Sequence, residues 1–145
     1  MSGFHIGPFS PSHEEAVIAL WRACGLVVPH NDPHKDIARK LAVNPEWFLI
    51  GKLDGEVIAS CMVGYEGHRG WINYLAVHPE HQRQGYARKL LEEAERILKA
   101  IGCPKLNLQI RGTNAAAAAF YERLGYTNDR TLSFGKRLIS DDPAN

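Results

Sequence analysis

Tyr74-Leu75-Ala76-Val77-His78-Pro79-Glu80-His81-Gln82-Arg83-Gln84-Gly85-Tyr86-Ala87-Arg88 is the stretch from which the rest of the chain falls into place. Leu75, Ala76 and Val77 end a β-rich run, and Pro79 stops it because proline offers no N–H to a ladder. Gly85 stands where a long amphipathic helix begins. From Gly85 to Ile101, the residues Leu90, Leu91, Ala94, Ile97, Leu98 and Ile101 fall on one stripe, and Gly102 closes the helix. Lys105 to Ile110 is again β-rich. Trp71–Val77, helix and Lys105–Ile110 therefore predict a parallel crossover unit.

Upstream the period is two. Trp47 to Leu53 and Glu56 to Tyr65 are joined by Asp54-Gly55, a dipeptide favoured in two-residue hairpin turns. Gly67-His68-Arg69-Gly70 is a second turn, so these runs and Trp71–Val77 predict an antiparallel meander. Further back, Phe4 to Phe9 reads as a short strand. Ser12 and Glu15 stand in capping-box relation, and Val17, Leu20, Trp21 and Cys24 recur at helical spacing before Gly25. Asp32 caps a second helix with Pro33 at its first position and Ile37 and Leu41 on its buried side, and Asn44-Pro45 stops it. Trp21, Trp47, Tyr65, Trp71 and Tyr74 read as core. Downstream, a helix from Asn114 to Leu124 ends at Gly125, Tyr126 to Ile139 is mostly extended, and the tail after Ser140 is frayed. The order β α α β β β α β α β predicts an α/β fold. Its central sheet is mostly antiparallel and twisted, with helices on both faces and one parallel crossover, in a single domain over 1–145.

Composition agrees with one ordinary globular domain: 145 residues, 45% hydrophobic and 23% charged. Seventeen basic against 16 acidic residues give a net charge of +1, which argues against a nucleic-acid partner. No apolar run reaches the roughly 20 residues that span a bilayer, and Met1-Ser2-Gly3-Phe4-His5 lacks the basic and apolar regions of a signal peptide. Cys24, Cys61 and Cys103 are odd in number and widely spaced, as small buried hydrophobes of a reducing compartment are. These features point to the cytoplasm, without a membrane partner.

The first amides of a helix lack internal partners and carry the positive end of its dipole. The start at Gly85 is therefore suited to a phosphate, with Gly85 and Ala87 keeping side chains out of the way and Arg83 and Arg88 adding charge. An ordinary solvated strand-loop-helix joint explains the same residues. No G-x-x-x-x-G-K-[ST] run is present and the loop lacks the three glycines of G-x-G-x-x-G, so nucleoside-triphosphatase and Rossmann readings are set aside.

Gln82-x-x-Gly85-x-Ala87 resembles the Q/R-x-x-G-x-G/A signature of the GCN5-related N-acetyltransferase (GNAT) superfamily, and it follows a Leu-Ala-Val-His-Pro strand end as it does there. Asn114-x-x-Ala117-x-x-x-Tyr121-Glu122-Arg123-Leu124-Gly125-Tyr126 is similar to a second element of that family, one strand later. Asn31-Asp32-Pro33 with Asp36-Ile37, Gly64 to Gly70, and Gly135-Lys136-Arg137-Leu138-Ile139 look like its bacterial YpeA-type branch. The resemblance covers essentially the whole chain.

It implies an acetyl-CoA-dependent N-acetyltransferase acting by direct transfer to a primary amine, on a small molecule or on a peptide or protein, in a monomer or a homodimer. The pantetheine arm would run beside Leu75, Ala76 and Val77. The pyrophosphate would lie on Gln82, Arg83, Gln84, Gly85, Tyr86, Ala87 and Arg88. Asn114 would contact the cofactor's arm, and Tyr121 would stand near the sulfur, as the acid that protonates the leaving thiolate or as a packing residue. Many members carry a glutamate on the strand where this chain has Asn73 and Tyr74. Glu66 is the best remaining carboxylate for the base, with His68, His78 and a water chain as alternatives. The pairs His30/His34 and His78/His81 invite a metal, but helix entry and the phosphate loop explain them better, so none is expected. The loop from Gly25 to Asp32 would border the acceptor cleft, with His30 and Asp32 toward a cationic amine. The same fold also serves non-catalytic acyl-CoA-binding or regulatory modules.

Overall fold

The computed structural model describes residues 3–142. Its elements in chain order are β1 (Phe4–Pro8), α1 (Glu14–Ala23), α2 (Pro33–Leu41), β2 (Phe48–Leu53), β3 (Glu56–Tyr65), β4 (Gly70–Val77), α3 (Tyr86–Ala100), β5 (Leu106–Leu108) and α4 (Ala115–Arg123). One sheet holds the strands in the order β1-β2-β3-β4-β5. The first four are antiparallel neighbours and β5 joins β4 in parallel after the α3 crossover.

Local chemistry accounts for the joints. Asp54 and Gly55 both take positive φ (50° and 88°), the backbone a two-residue hairpin needs. The Asp32 carboxylate accepts from the His34 and Lys35 amides and caps α2 behind Pro33. Gly70 is required by packing: a Cβ there would come within 2.5 Å of Leu98 Cδ1 on α3.

Strand alternation divides the core in two. Leu49, Cys61 and Val63 face α3, where they meet Leu90, Leu91, Ala94 and Leu98. Phe48, Ile50 and Met62 face the other way, against Val17, Leu20 and Trp21 of α1 and Ile37 of α2. Trp21 is wholly buried between Phe48 and Tyr74, its ring stacked 3.8 Å from the tyrosine's. Its Nε1 donates to buried Ser60 Oγ (2.9 Å), which donates to the Tyr74 carbonyl (2.8 Å), so the polar atoms inside this face are satisfied.

Several expectations need correction. No strand forms between Tyr126 and Ile139. Asn128 Oδ1 takes the Arg130 amide (2.8 Å) and Arg130 adopts φ 57°, an Asx-type turn that breaks extended geometry. Within the stretch after Ser140, Asp141 is buried and bound to Arg39 through both oxygens; residues 143–145 lie outside the described part. The chain enters α1 one turn earlier than Ser12 and Glu15 suggest, through Pro11–His13, with the Ser10 amide donating to His13 Nδ1. Ile101 falls off the buried stripe at the helix end and is exposed, and Trp47, Tyr65, Trp71 and Tyr74 are only half-buried.

Candidate functional site

The site begins as a gap in the sheet. β4 and β5 pair over three residues only, Gly70–Ile72 with Leu106–Leu108. From Asn73 to Val77, β4 keeps its β3 neighbour on one edge and has none on the other. The His78 amide bonds Ile58 O (2.8 Å). By strand alternation the Val77 N–H and C=O then point to the free edge. A bulge accentuates the opening: Ser60 pairs with Ala76 but Met62 with Asn73, so Tyr74 and Leu75 together oppose Cys61. Tyr74 sits in the bulge at φ 51°, a costly backbone for a bulky residue.

At the wide end of the gap lies the loop to α3. Gln82 is extended, and Arg83 (φ 63°) and Gly85 (φ 86°) are left-handed before the helix starts. No side chain caps this helix, and its first internal bond is Lys89 N–H to Gly85 O. The amides of Gly85, Tyr86, Ala87 and Arg88 are thus without helical partners. A Cβ built on Gly85 meets nothing within 4 Å, so the space before these amides is open. Left-handed residues followed by free amides form the concave, positive backbone that holds a phosphate.

The flanking side chains do different jobs from one another. Gln82 Nε2 donates to Val77 O (3.0 Å), pinning the loop to the strand end. The Tyr86 ring turns inward and stacks on Phe4 at 4.3 Å, leaving only its amide for a ligand. Arg88 pairs with Glu92 one turn on (3.0 Å), while Arg83 and Gln84 stay exposed.

Helix α4 follows β5 and packs on the α3-side core. Asn114 Oδ1 accepts the Ala117 amide (3.0 Å) and caps the helix. One face of α4 carries Phe120, Tyr121 and Leu124 against the α3-side core. Tyr121 packs edge-on between Phe120 and Tyr126. Burial, with the Cys61 thiol as a lesser influence, pushes its phenol up to about 12, so it holds its proton throughout the neutral range.

Glu66 is placed elsewhere. It closes the β3–β4 turn, where Oε1 accepts the Arg69 amide (2.6 Å) and the His68 amide (2.5 Å), and Oε2 accepts Trp71 Nε1 (3.3 Å). Those amides, Arg69's first, hold its carboxyl below the ordinary glutamate value. This turn is at the joined end of β4 and β5, the end away from the loop into α3. His78 Nδ1 accepts the Glu80 amide and shapes the turn into the loop. His34 pairs with Glu14 (2.7 Å), and Asp32 is occupied by its cap.

One constellation escaped the sequence reading. The Tyr74 hydroxyl donates to Asp36 Oδ2 (2.6 Å), across 38 residues. Asp36 Oδ1 also takes Arg39 (3.0 Å), and Arg39 is clamped by Asp141. Burial first, then the Asp36 carboxylate, raise the Tyr74 phenol well above its ordinary value. Only the carriage of Asp36 on the capped helix α2 was visible in the sequence; its partner lies across the molecule.

The sequence profile of the acetyltransferase (GNAT) family matches residues 14–126. An acetyltransferase of Yersinia enterocolitica is 47% identical over 133 residues, 92% of this chain and 94% of that protein. One from Sodalis glossinidius is 49% identical over 128 residues, 88% and 90% of the two chains. Among solved structures, the ribosomal-protein-S18-alanine N-acetyltransferase of Escherichia coli superposes with a TM-score of 0.70 at 26% identity, covering 84% of this chain and 76% of that one. An aminoglycoside N-acetyltransferase in complex with CoA shares the fold at a TM-score of 0.73 and 18% identity, with 95% and 97% covered.

Proposed function

We propose, because this chain belongs to the acetyltransferase (GNAT) family, that it transfers an acetyl group from acetyl-CoA directly to a primary amine. The observation that carries the reading is the unladdered edge of β4 leading straight into the uncapped start of α3. An extended pantetheine arm fits beside Leu75, Ala76 and Val77 as an added strand would. The pyrophosphate fits the concave amides from Gln82 to Arg88, with Arg83 and Arg88 at the rim. Asn114, at the head of α4, lines the arm from the other side. Bound there, acetyl-CoA supplies an acyl group already activated as a thioester.

The chain's own residues supply the rest. The Val77 edge N–H is available to polarise the acyl carbonyl. Tyr121, protonated at neutral pH, donates to the departing thiolate. For the proton leaving the amine, Glu66 and Asp36 compete. Three hydrogen bonds and a lowered proton affinity at the joined end of the sheet weaken Glu66. Asp36 accepts the hydroxyl of Tyr74, the bulge residue of β4, and in this reading that hydroxyl takes a proton from the amine while passing its own to the carboxylate.

Thiol release measured across a panel of small amines, amino acids and peptide N-termini tests the activity. CoA binding with no release on any of them would favour a non-catalytic acyl-CoA-binding module. Tyr121→Phe should lower kcat by roughly 10²-fold or more while leaving CoA affinity unchanged; full turnover would remove Tyr121 as the acid. Asp36→Asn and Glu66→Gln, compared by their acidic pH–rate limbs, decide the base: the variant that loses the limb identifies it.

A further inference from the structure

Asp141 is the one buried carboxylate among the described residues, and it stands in a stretch that takes no regular structure. Its Oδ1 accepts Arg39 Nη2 (2.6 Å), and its Oδ2 accepts Arg39 Nη1 (3.1 Å) and the Asp32 amide (3.0 Å). A buried ion pair returns little net stability, so what this one does to its neighbours matters more.

Arg39 is the link to those neighbours. Its side chain is half exposed, yet Asp141 grips it by two parallel bonds, the geometry that fixes the plane of a guanidinium. The Nη1 of that plane also donates to Asp36 Oδ1 (3.0 Å). A guanidinium nitrogen of this kind carries two protons, one for each carboxylate. Asp36 Oδ2 is left for the Tyr74 hydroxyl (2.6 Å). Both oxygens of Asp36 are therefore directed, one by the arginine and one by the tyrosine.

Few charges face Asp36. Its own helix brings Arg39, β4 brings the phenol of Tyr74, and the chain end brings Asp141 behind Arg39. Helix α1 presents the uncharged ring of Trp21, stacked on Tyr74. Lys35 acts on Asp141, and Lys40 is held by the Val63 carbonyl of β3 (2.5 Å). Among the described residues no ion pair but that with Arg39 reaches Asp36. A cation beside a carboxylate lowers its appetite for a proton, so Arg39 alone would make Asp36 a poor acceptor. Asp141 cancels that cation: two carboxylates share one guanidinium, and a single negative charge is left over.

We propose that Arg39 and Asp141 are positioning residues for proton transfer, Arg39 aiming the Asp36 carboxylate at Tyr74 and Asp141 cancelling the charge of Arg39 so that Asp36 can still take a proton. This rests on the reading of Asp36 as the group that receives the amine's proton. In that step an N–H bond of the attacking amine breaks and its electron pair stays on nitrogen. An O–H bond forms on Tyr74 as the tyrosine's own proton moves to Asp36 Oδ2, and the three side chains end with no net charge.

Carbon-13 NMR of the side-chain carboxyls, followed against pH in the full chain, reads Asp36 directly and needs no acceptor. In Asp141→Asn the Asp36 midpoint should fall by roughly 0.5–1 pH unit, because the cation beside it is no longer cancelled. In Arg39→Gln/Asp141→Asn, which removes one charge of each sign, it should return close to wild type. A merely structural clamp predicts instead that the second substitution adds to the first. Both variants keep an amide at position 141 to receive the Asp32 N–H, so the chain end stays moored. A midpoint unchanged or raised in Asp141→Asn would overturn the proposal, as would a double variant that keeps the shift. The acidic limb of thiol release on the amine panel should move the same way in Asp141→Asn. Asp36→Asn that retains this limb, or a wild type that turns over no amine, would remove the underlying reading and this proposal with it. A limb lost in Asp36→Asn but unmoved in Asp141→Asn would overturn the part played by the clamp alone.

Discussion

The molecule divides at the end of α3 into two unlike parts. Before it, every strand but β5 and three of the four helices bury apolar side chains, and the hydrophobic core runs from Phe4 to Leu98. After Leu98, Asp141 is the one fully buried side chain among the described residues. Helix α4 has none, and β5 is three residues long with all three half-buried. Yet the second part carries Asn114 and Tyr121, two residues of the proposed cofactor cleft. A region that packs so lightly belongs to the low-stability end of the fold. The first part carries the packed core; the second contributes little to it.

The contrast can be broken by mutation. Leu90→Ala, in the wholly buried centre of α3, should cost about 2–5 kcal/mol of unfolding free energy, whereas Phe120→Ala on α4 should cost clearly less. Equal losses in denaturant titrations would mean that α4 is as integral as α3. Gly85→Glu acts at the border. Its left-handed backbone should cost about 1–2 kcal/mol, and the added carboxylate should abolish CoA binding in calorimetry. Retained affinity would show that the pyrophosphate lies elsewhere. Asp141→Asn should have the smallest effect, a fall of a few degrees in melting temperature.

Asp141 also carries a pH signature. Arg39 above all, then the Asp32 amide, hold its carboxyl far below the ordinary aspartate value. A depressed folded value stabilises the native state above the unfolded pKa of about 4. That stabilisation drains away as pH falls below it. The Asn variant should therefore lose part of the acid dependence of melting between neutral pH and strong acid; an unchanged profile would show the clamp to be inert.

What could be read in advance follows from range. Asp54-Gly55, Asp32-Pro33 and the stripe from Leu90 to Leu98 are signals contained within a turn or a helix, and each lies where the spacing puts it. The start of α3 behind Gly85 was legible for the same reason, since a helix start needs only its own few residues. Tyr74 with Asp36 and Arg39 with Asp141 join residues 38 and 102 apart, and no local pattern encodes such a meeting. The strand expected after Tyr126 fails in an instructive way. Its alternation is present, but no ladder forms, and an Asx turn at Asn128 with Arg130 at φ 57° breaks the extended backbone where the strand would begin.

Tyr74 gives selection a conflict to settle. At a left-handed backbone of φ 51° glycine is the relaxed occupant, so a mutation to it would ease the bulge. It would also delete the ring on Trp21 and the hydroxyl on Asp36. Variants that ease the backbone here and variants that keep these contacts should be different sets, and a lineage that holds the tyrosine accepts strain for the sake of the ring on Trp21 and the hydroxyl on Asp36.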